Sequence, residues 1–171
     1  MSSLAFLAGY PPELLSQAEV LIQTGKAEEH IRAKYPEQHN IHSNKELFAY
    51  VQELKGQSMQ NAPPLRKVSY DSRMTSLENA LGMHTTRQVA HGGTVRKRRE
   101  MTVASLFRNM PAAFLRMIVV HELSHIKYKD HNRAFYNFCC HLEPDYHELE
   151  FDLRVLLCAQ DAPFTTEPNQ R

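Results

Sequence analysis

The chain reads as an α+β protein, with helices at both ends and a small, mostly antiparallel sheet between them. Three observations predict this. Apolar residues recur at helical spacing over 11–60 and again over 109–158. Between these stretches, residues 65–106 alternate apolar and polar positions around a Gly92-Gly93 turn signal. A breaker, Asn61-Ala-Pro-Pro64, separates the first helical stretch from the alternating one. The boundaries that follow are an N-terminal helical segment over 1–60, a core over 61–158 and a polar, flexible tail over 159–171. At 171 residues, these fit within one compact domain.

Each element has a local cause. Pro11-Pro12-Glu13 opens a first helix whose apolar positions are Leu14, Leu15, Ala18, Leu21 and Ile22, and Gly25 stops it. A short second helix runs from Lys26 to Tyr35 and ends at Pro36. Ser43 and Glu46 form a capping box ahead of Leu47, Phe48, Val51 and Leu54. In the middle, Val68 and Tyr70, residues 81–86 and residues 103–107 read as three or four strands. Asn109-Met-Pro111 has the form of a helix start, with the cap first and proline in the first turn. Phe114, Ile118, His121 and His125 then share one face. Asn132 caps a second helix, and Pro144 opens a third with the stripe Tyr146, Leu149, Leu153, Leu156 and Leu157.

Composition removes several classes of function. Lysine and arginine number 20 against 19 acidic residues, so no strongly basic field reaches out to nucleic acid, although a local patch can. No apolar run approaches a membrane span, and the N-terminal segment lacks the basic start of a signal peptide. With 3 cysteines, two of them adjacent, reduced thiols and a cytoplasmic setting are expected. Cys139 falls on the apolar face of its helix with Phe135 and Leu142 and reads as a small buried hydrophobe.

Histidine is in excess locally. Five of the 10 (His121, His125, His131, His141, His147) fall within 27 residues, where even spacing would put about 1.6. His121-Glu122-Leu-Ser-His125 is an HExxH pattern. Two histidines four apart project from one helical face, a spacing that suits two imidazole nitrogens on one Zn²⁺. Glu122 is offset from that face and placed to act on a water rather than on the metal. Chance produces the pattern in only about 0.05 of chains of this composition. The plain alternative is an amphipathic helix with two satisfied polar histidines. His131, six residues after His125, is the nearest third ligand, provided the helix ends near Tyr128. Glu143, Glu148 and Glu150 are alternatives. The spacing matches most of HExxHxxGxxH, but Tyr128 stands at the turn glycine and no methionine follows Met117, so a metzincin Met-turn is excluded.

These residues carry a resemblance. Met117–His125 with His131-Asn-Arg-Ala-Phe135-Tyr136, together with Asn61–Pro64, Asn79–Gly82 and Cys139–Pro144, resemble the YgjP-like family of bacterial zincins, relatives of SprT-like and WLM metalloproteases. Leu81 and Tyr136 stand where that family often has tryptophan. The resemblance implies a minimal zincin fold, with His121, His125 and His131 as metal ligands and Glu122 as the catalytic carboxylate. It also implies a metal-dependent hydrolase or metallopeptidase, and members have been described as UTP pyrophosphatases.

Three readings of function follow. The first is zinc-assisted hydrolysis of a peptide or protein, with Glu122 as general base and Tyr146 or His147 as a transition-state or outer-shell group. An edge strand over 101–107 would take the extended substrate. The second is hydrolysis of UTP to UMP and diphosphate, with Arg96, Lys97, Arg98 and Arg99 on the phosphates and Mg²⁺ or Mn²⁺ as a further choice of metal. The third is a non-catalytic zinc-stabilised binding module, contacting nucleic acid through the basic run, with His141 or Glu148 as fourth ligand.

Overall fold

A computed structural model of the chain describes residues 6–74 and 100–161. Among the described residues are six α-helices and a two-stranded sheet: α1 (Pro12–Gln23), α2 (Ala27–Lys34), α3 (Asn44–Ser58), β1 (Lys67–Asp71), β2 (Glu100–Ala104), α4 (Ala112–Ser124), α5 (Arg133–Leu142) and α6 (Tyr146–Asp161). The class is α+β, as expected, and is consistent with a minimal zincin-like fold. No helix among the described residues is long and apolar enough to cross a membrane.

The chain divides into two compact units, Glu37–Tyr146 and the pair of segments 1–36 and 147–171. In the first unit, the capping box on α3 forms as predicted: Ser43 Oγ accepts from the Glu46 amide and Glu46 accepts from the Ser43 amide. Asn44, the first residue of α3, accepts from the Tyr70 amide at 2.9 Å, and the Tyr70 hydroxyl donates to the Ile41 carbonyl at 2.7 Å. These bonds tie α3 to β1. Helix α4 is the centre of the unit. Phe114, Leu115, Met117, Ile118, Val119, Val120 and Leu123 are all buried, so the helix is enclosed nearly all round rather than on one stripe.

Two sequence expectations change. The alternation predicts a mostly antiparallel sheet of three or four strands, but the pair among the described residues, β1 and β2, is parallel, Lys67 with Glu100 through Asp71 with Ala104. Residues 72–99 separate them, long enough for the crossover a parallel pair requires, and alternation of side chains carries no information on strand direction. Residues 81–86, Gly92-Gly93 and Arg96–Arg99 lie outside the described residues. The second difference is at residues 105–107. The strand stops at Ala104, and Ser105–Asn109 turns into a 3-10 helix. Pro111 then serves as the N-cap position of α4 in place of Asn109, and the Ala112 amide donates to the Glu37 carbonyl at 2.9 Å.

In the other unit, Gly25 adopts φ 67° directly after α1, a left-handed conformation that favours glycine. Asp152 of α6 accepts from the Lys34 ammonium at 2.7 Å and from the Tyr35 hydroxyl at 2.6 Å. Arg154 donates to the Phe6 carbonyl and to Glu150. Of the predicted stripe on α6, Leu149, Leu153, Leu156 and Leu157 are buried in this unit, and Tyr146, also buried, belongs to the first. Of the flexible tail expected over 159–171, residues 159–161 instead continue α6 to Asp161, and 162–171 lie outside the described residues.

Candidate metal centre

His121 and His125 stand at the C-terminal end of α4. The helix closes at Ser124, with His125 still helical at the cap (φ −66°, ψ −18°). The Tyr128 amide donates back to the Ser124 carbonyl at 2.9 Å, so the chain turns at once and returns through His131. Asn132 then starts α5, its side chain accepting from the Phe135 amide at 3.0 Å. The turn therefore ends the helix earlier than residue 128, and six residues suffice for the return.

The result is a convergence of three ring nitrogens. Nε2 of His121 lies 3.2 Å from Nε2 of His125 and 3.2 Å from Nε2 of His131, and the last two are 2.9 Å apart. Tetrahedral zinc with bonds of 2.0–2.1 Å spaces its nitrogen ligands by about 3.3–3.4 Å. The observed triangle is within a few tenths of an ångström of that, so the donor set fits a zinc-sized cation. Among the described residues, no other His, Cys, Asp or Glu joins this group.

The second nitrogens of two rings are also placed. Nδ1 of His125 lies 3.0 Å from the Tyr128 carbonyl oxygen. A carbonyl only accepts, so this nitrogen carries the proton and Nε2 keeps its lone pair for the centre. Burial holds His125 below the ordinary histidine pKa, which favours the neutral, ligating form. Nδ1 of His121 lies 2.7 Å from the hydroxyl oxygen of Tyr146, a residue with no exposed surface.

Glu122 sits on α4 beside His121 and retains partial surface exposure. Desolvation by the surrounding protein atoms pushes its carboxyl up to about 7, within the range useful to a general base. The three carboxylates that competed with His131 as third ligand are engaged elsewhere. Glu143 pairs with Arg116 at 2.7 Å, Glu148 with Lys34 at 2.6 Å, and Glu150 with Arg154 at 2.7 Å. His141 is exposed on α5, its ring stacked on Phe138. His147 is exposed in the first turn of α6 and belongs to the other compact unit. Arg96, Lys97, Arg98 and Arg99 lie outside the described residues.

Helical spacing places Phe135 in the core, and its position there is more specific. The ring is fully buried, and its centroid lies 5.0, 4.6 and 4.9 Å from those of His121, His125 and His131. One side chain thus backs all three imidazoles. The sequence signal was available in part, since Asn132 as cap places Phe135 in the first turn after His131. A second link joins the same helices: the Cys139 thiol donates to Ser124 Oγ at 3.3 Å, and Ser124 donates to the Val120 carbonyl at 2.8 Å. Cys139 is thus buried as expected, with a hydrogen bond in addition.

Comparison with known proteins agrees with this geometry. The family described as YgjP-like, metallopeptidase domain matches residues 21–155. A protein of Escherichia coli (strain K12) named UTP pyrophosphatase is 50% identical over 157 residues, covering 92% of this chain and 94% of that protein. No solved structure matches the chain. A metallopeptidase domain and a relative named for the hydrolysis of an anhydride agree that the protein is a hydrolase, and the chain belongs to the YgjP-like family.

Proposed function

We propose that the protein is a zinc hydrolase in which His121, His125 and His131 hold the metal and Glu122 is the general base. The convergence of three Nε2 atoms within 3.2 Å carries this reading, supported by the family match. When bound, a divalent cation supplies a Lewis acid and lowers the pKa of water toward ~7. Glu122 then accepts a proton from the attacking water at a carboxylate oxygen and returns it to the leaving atom. The described cluster contains three protein ligands, the number found in catalytic rather than structural zinc sites. This favours turnover over a purely structural role. An odd count of 3 cysteines, two of them adjacent, favours a reducing, cytoplasmic setting.

The substrate has two readings. The family description points to a peptide or protein carbonyl. The second reading, hydrolysis of UTP to UMP and diphosphate, is favoured by the name of the 50% identical relative. Under it, Arg96, Lys97, Arg98 and Arg99 bind the phosphates, and Mg²⁺ or Mn²⁺ becomes a plausible metal. Metal analysis of the purified protein, followed by parallel assays on a peptide library and on nucleoside triphosphates, tests both. Release of diphosphate from UTP, with no peptide cleaved, would establish the second reading. Protein that retains no metal and has no metal-stimulated activity would overturn the proposal.

A further inference from the structure

We infer that Tyr146 and Phe135 are positioning residues that arrange the three histidines before any metal arrives. This rests on the zinc-hydrolase reading above and deepens it. A histidine can present its Nε2 lone pair to a cation only if Nδ1 carries the proton, and each ring must also hold the rotamer that aims that nitrogen inward. For His125, a backbone carbonyl sets the tautomer. For His121, Nδ1 lies 2.7 Å from the Tyr146 hydroxyl. That hydroxyl is fully enclosed, so it is placed to serve the ligand rather than to touch a substrate. This separates the two roles the sequence left open for Tyr146. With His121 ligating through Nε2, Nδ1–H donates to Tyr146 Oη.

Phe135 supplies the second constraint. Its ring stands edge-on to His121 and His131, with interplanar angles of 76° in both cases, and lies at 34° to His125. Rotating any one imidazole away from the centre would open a gap against this ring, and a close-packed interior resists such gaps. The three ligands come from a helix, its cap and a returning turn, so no single element sets their mutual geometry. Phe135 is the shared surface that does. It is itself anchored by the Asn132 cap, which accepts from the Phe135 amide. Arg116 of α4 donates to Glu143 at 2.7 Å and to the Leu142 carbonyl at 3.1 Å, pinning the far end of the same helix.

The test uses the full chain and two variants, Tyr146→Phe and Phe135→Leu. Zn²⁺ affinity is measured by competition with a chromophoric chelator. The visible spectrum of the Co²⁺-loaded protein reports ligand geometry, and ¹⁵N-detected NMR of the metal-free protein reports the His121 tautomer. Tyr146→Phe removes one oxygen and keeps the ring, and should weaken Zn²⁺ binding by about 10–100-fold. It should also shift His121 toward the Nε2–H tautomer, a change that loss of packing alone would not produce. Phe135→Leu should weaken Zn²⁺ by a similar factor and alter the Co²⁺ spectrum while His121 keeps its tautomer. Wild-type affinity together with a wild-type His121 tautomer in Tyr146→Phe would overturn the role of Tyr146. Unchanged affinity and Co²⁺ spectrum in Phe135→Leu would reduce Phe135 to an ordinary core residue. If the wild-type chain itself binds neither Zn²⁺ nor Co²⁺, the underlying metal reading fails, and that result is distinct from failure of the variants alone.

Discussion

Replacing Glu122 by glutamine separates the chemistry from the scaffold. The amide has nearly the shape of the carboxylate, and among the described residues Glu122 makes no hydrogen bond or ion pair that the change would break. The three clustered histidines, His121, His125 and His131, are untouched. Metal content should therefore stay at the wild-type level, and stability should move by no more than about 1 kcal/mol. Turnover is another matter, because an amide cannot accept the proton of the attacking water. A positioned general base contributes about 10²–10⁴-fold, so kcat/KM should fall by that factor, or about 2.7–5.5 kcal/mol in activation free energy. The assay pairs metal analysis of the variant with steady-state kinetics on whichever substrate the wild type cleaves. A variant with full metal and full activity would refute the general-base role. One that loses its metal would show that Glu122 belongs to the ligand set, contrary to its offset from the helical face of the two histidines.

Other substitutions probe separate features. His131→Ala should weaken Zn²⁺ binding by on the order of 100-fold or more, since two imidazoles remain of three. His131 is exposed, so the metal-free melting temperature should barely change; chelator competition and calorimetry check the two halves. Reversing the charges of Arg96, Lys97, Arg98 and Arg99 should raise KM for UTP and leave KM for a neutral peptide unchanged, and equal effects on both would remove the phosphate-binding role. Tyr70 supplies a pH test of the fold. Burial pushes its phenol up to about 12, opposed by the Arg108 guanidinium over its ring at 4.7 Å. The folded pKa is raised above the unfolded value, so this contribution is complete below pH 10 and is lost as pH rises toward 12. Denaturant titrations from pH 9 to 12 should show wild-type stability falling more steeply than that of Tyr70→Phe, which has no phenol to ionise.

Much of the site was legible because its logic is local. HExxH needs only a helix, and the run from Phe114 to Val120 provides one without a breaker. The cap at Asn132 and the capping box at Ser43 and Glu46 are recognisable because a cap involves residues three apart. Cys139 and the stripe on α6 followed from periodicity alone. What needed the folded chain involves partners far apart in sequence. The clustering of His131 with His121 and His125 turned on a tight return after Ser124, while Glu143, Glu148 and Glu150 pair with Arg116, Lys34 and Arg154.

Strand direction likewise escaped the alternating pattern, because a two-residue period is the same whichever way the neighbouring strand runs. The end of β2 at Ala104 was equally hidden, since Leu106 and Phe107 suit a strand as well as a 3-10 turn. Tyr146 shows the division most clearly. Its place on an apolar stripe is written in the spacing of α6, but its hydroxyl meets His121 across 25 residues. The sequence by itself determined that two histidines and a glutamate share one helix end, because i and i+4 always face together. Only tertiary structure decided which third histidine, which ring and which hydroxyl surround them, because those contacts depend on how separate helices pack.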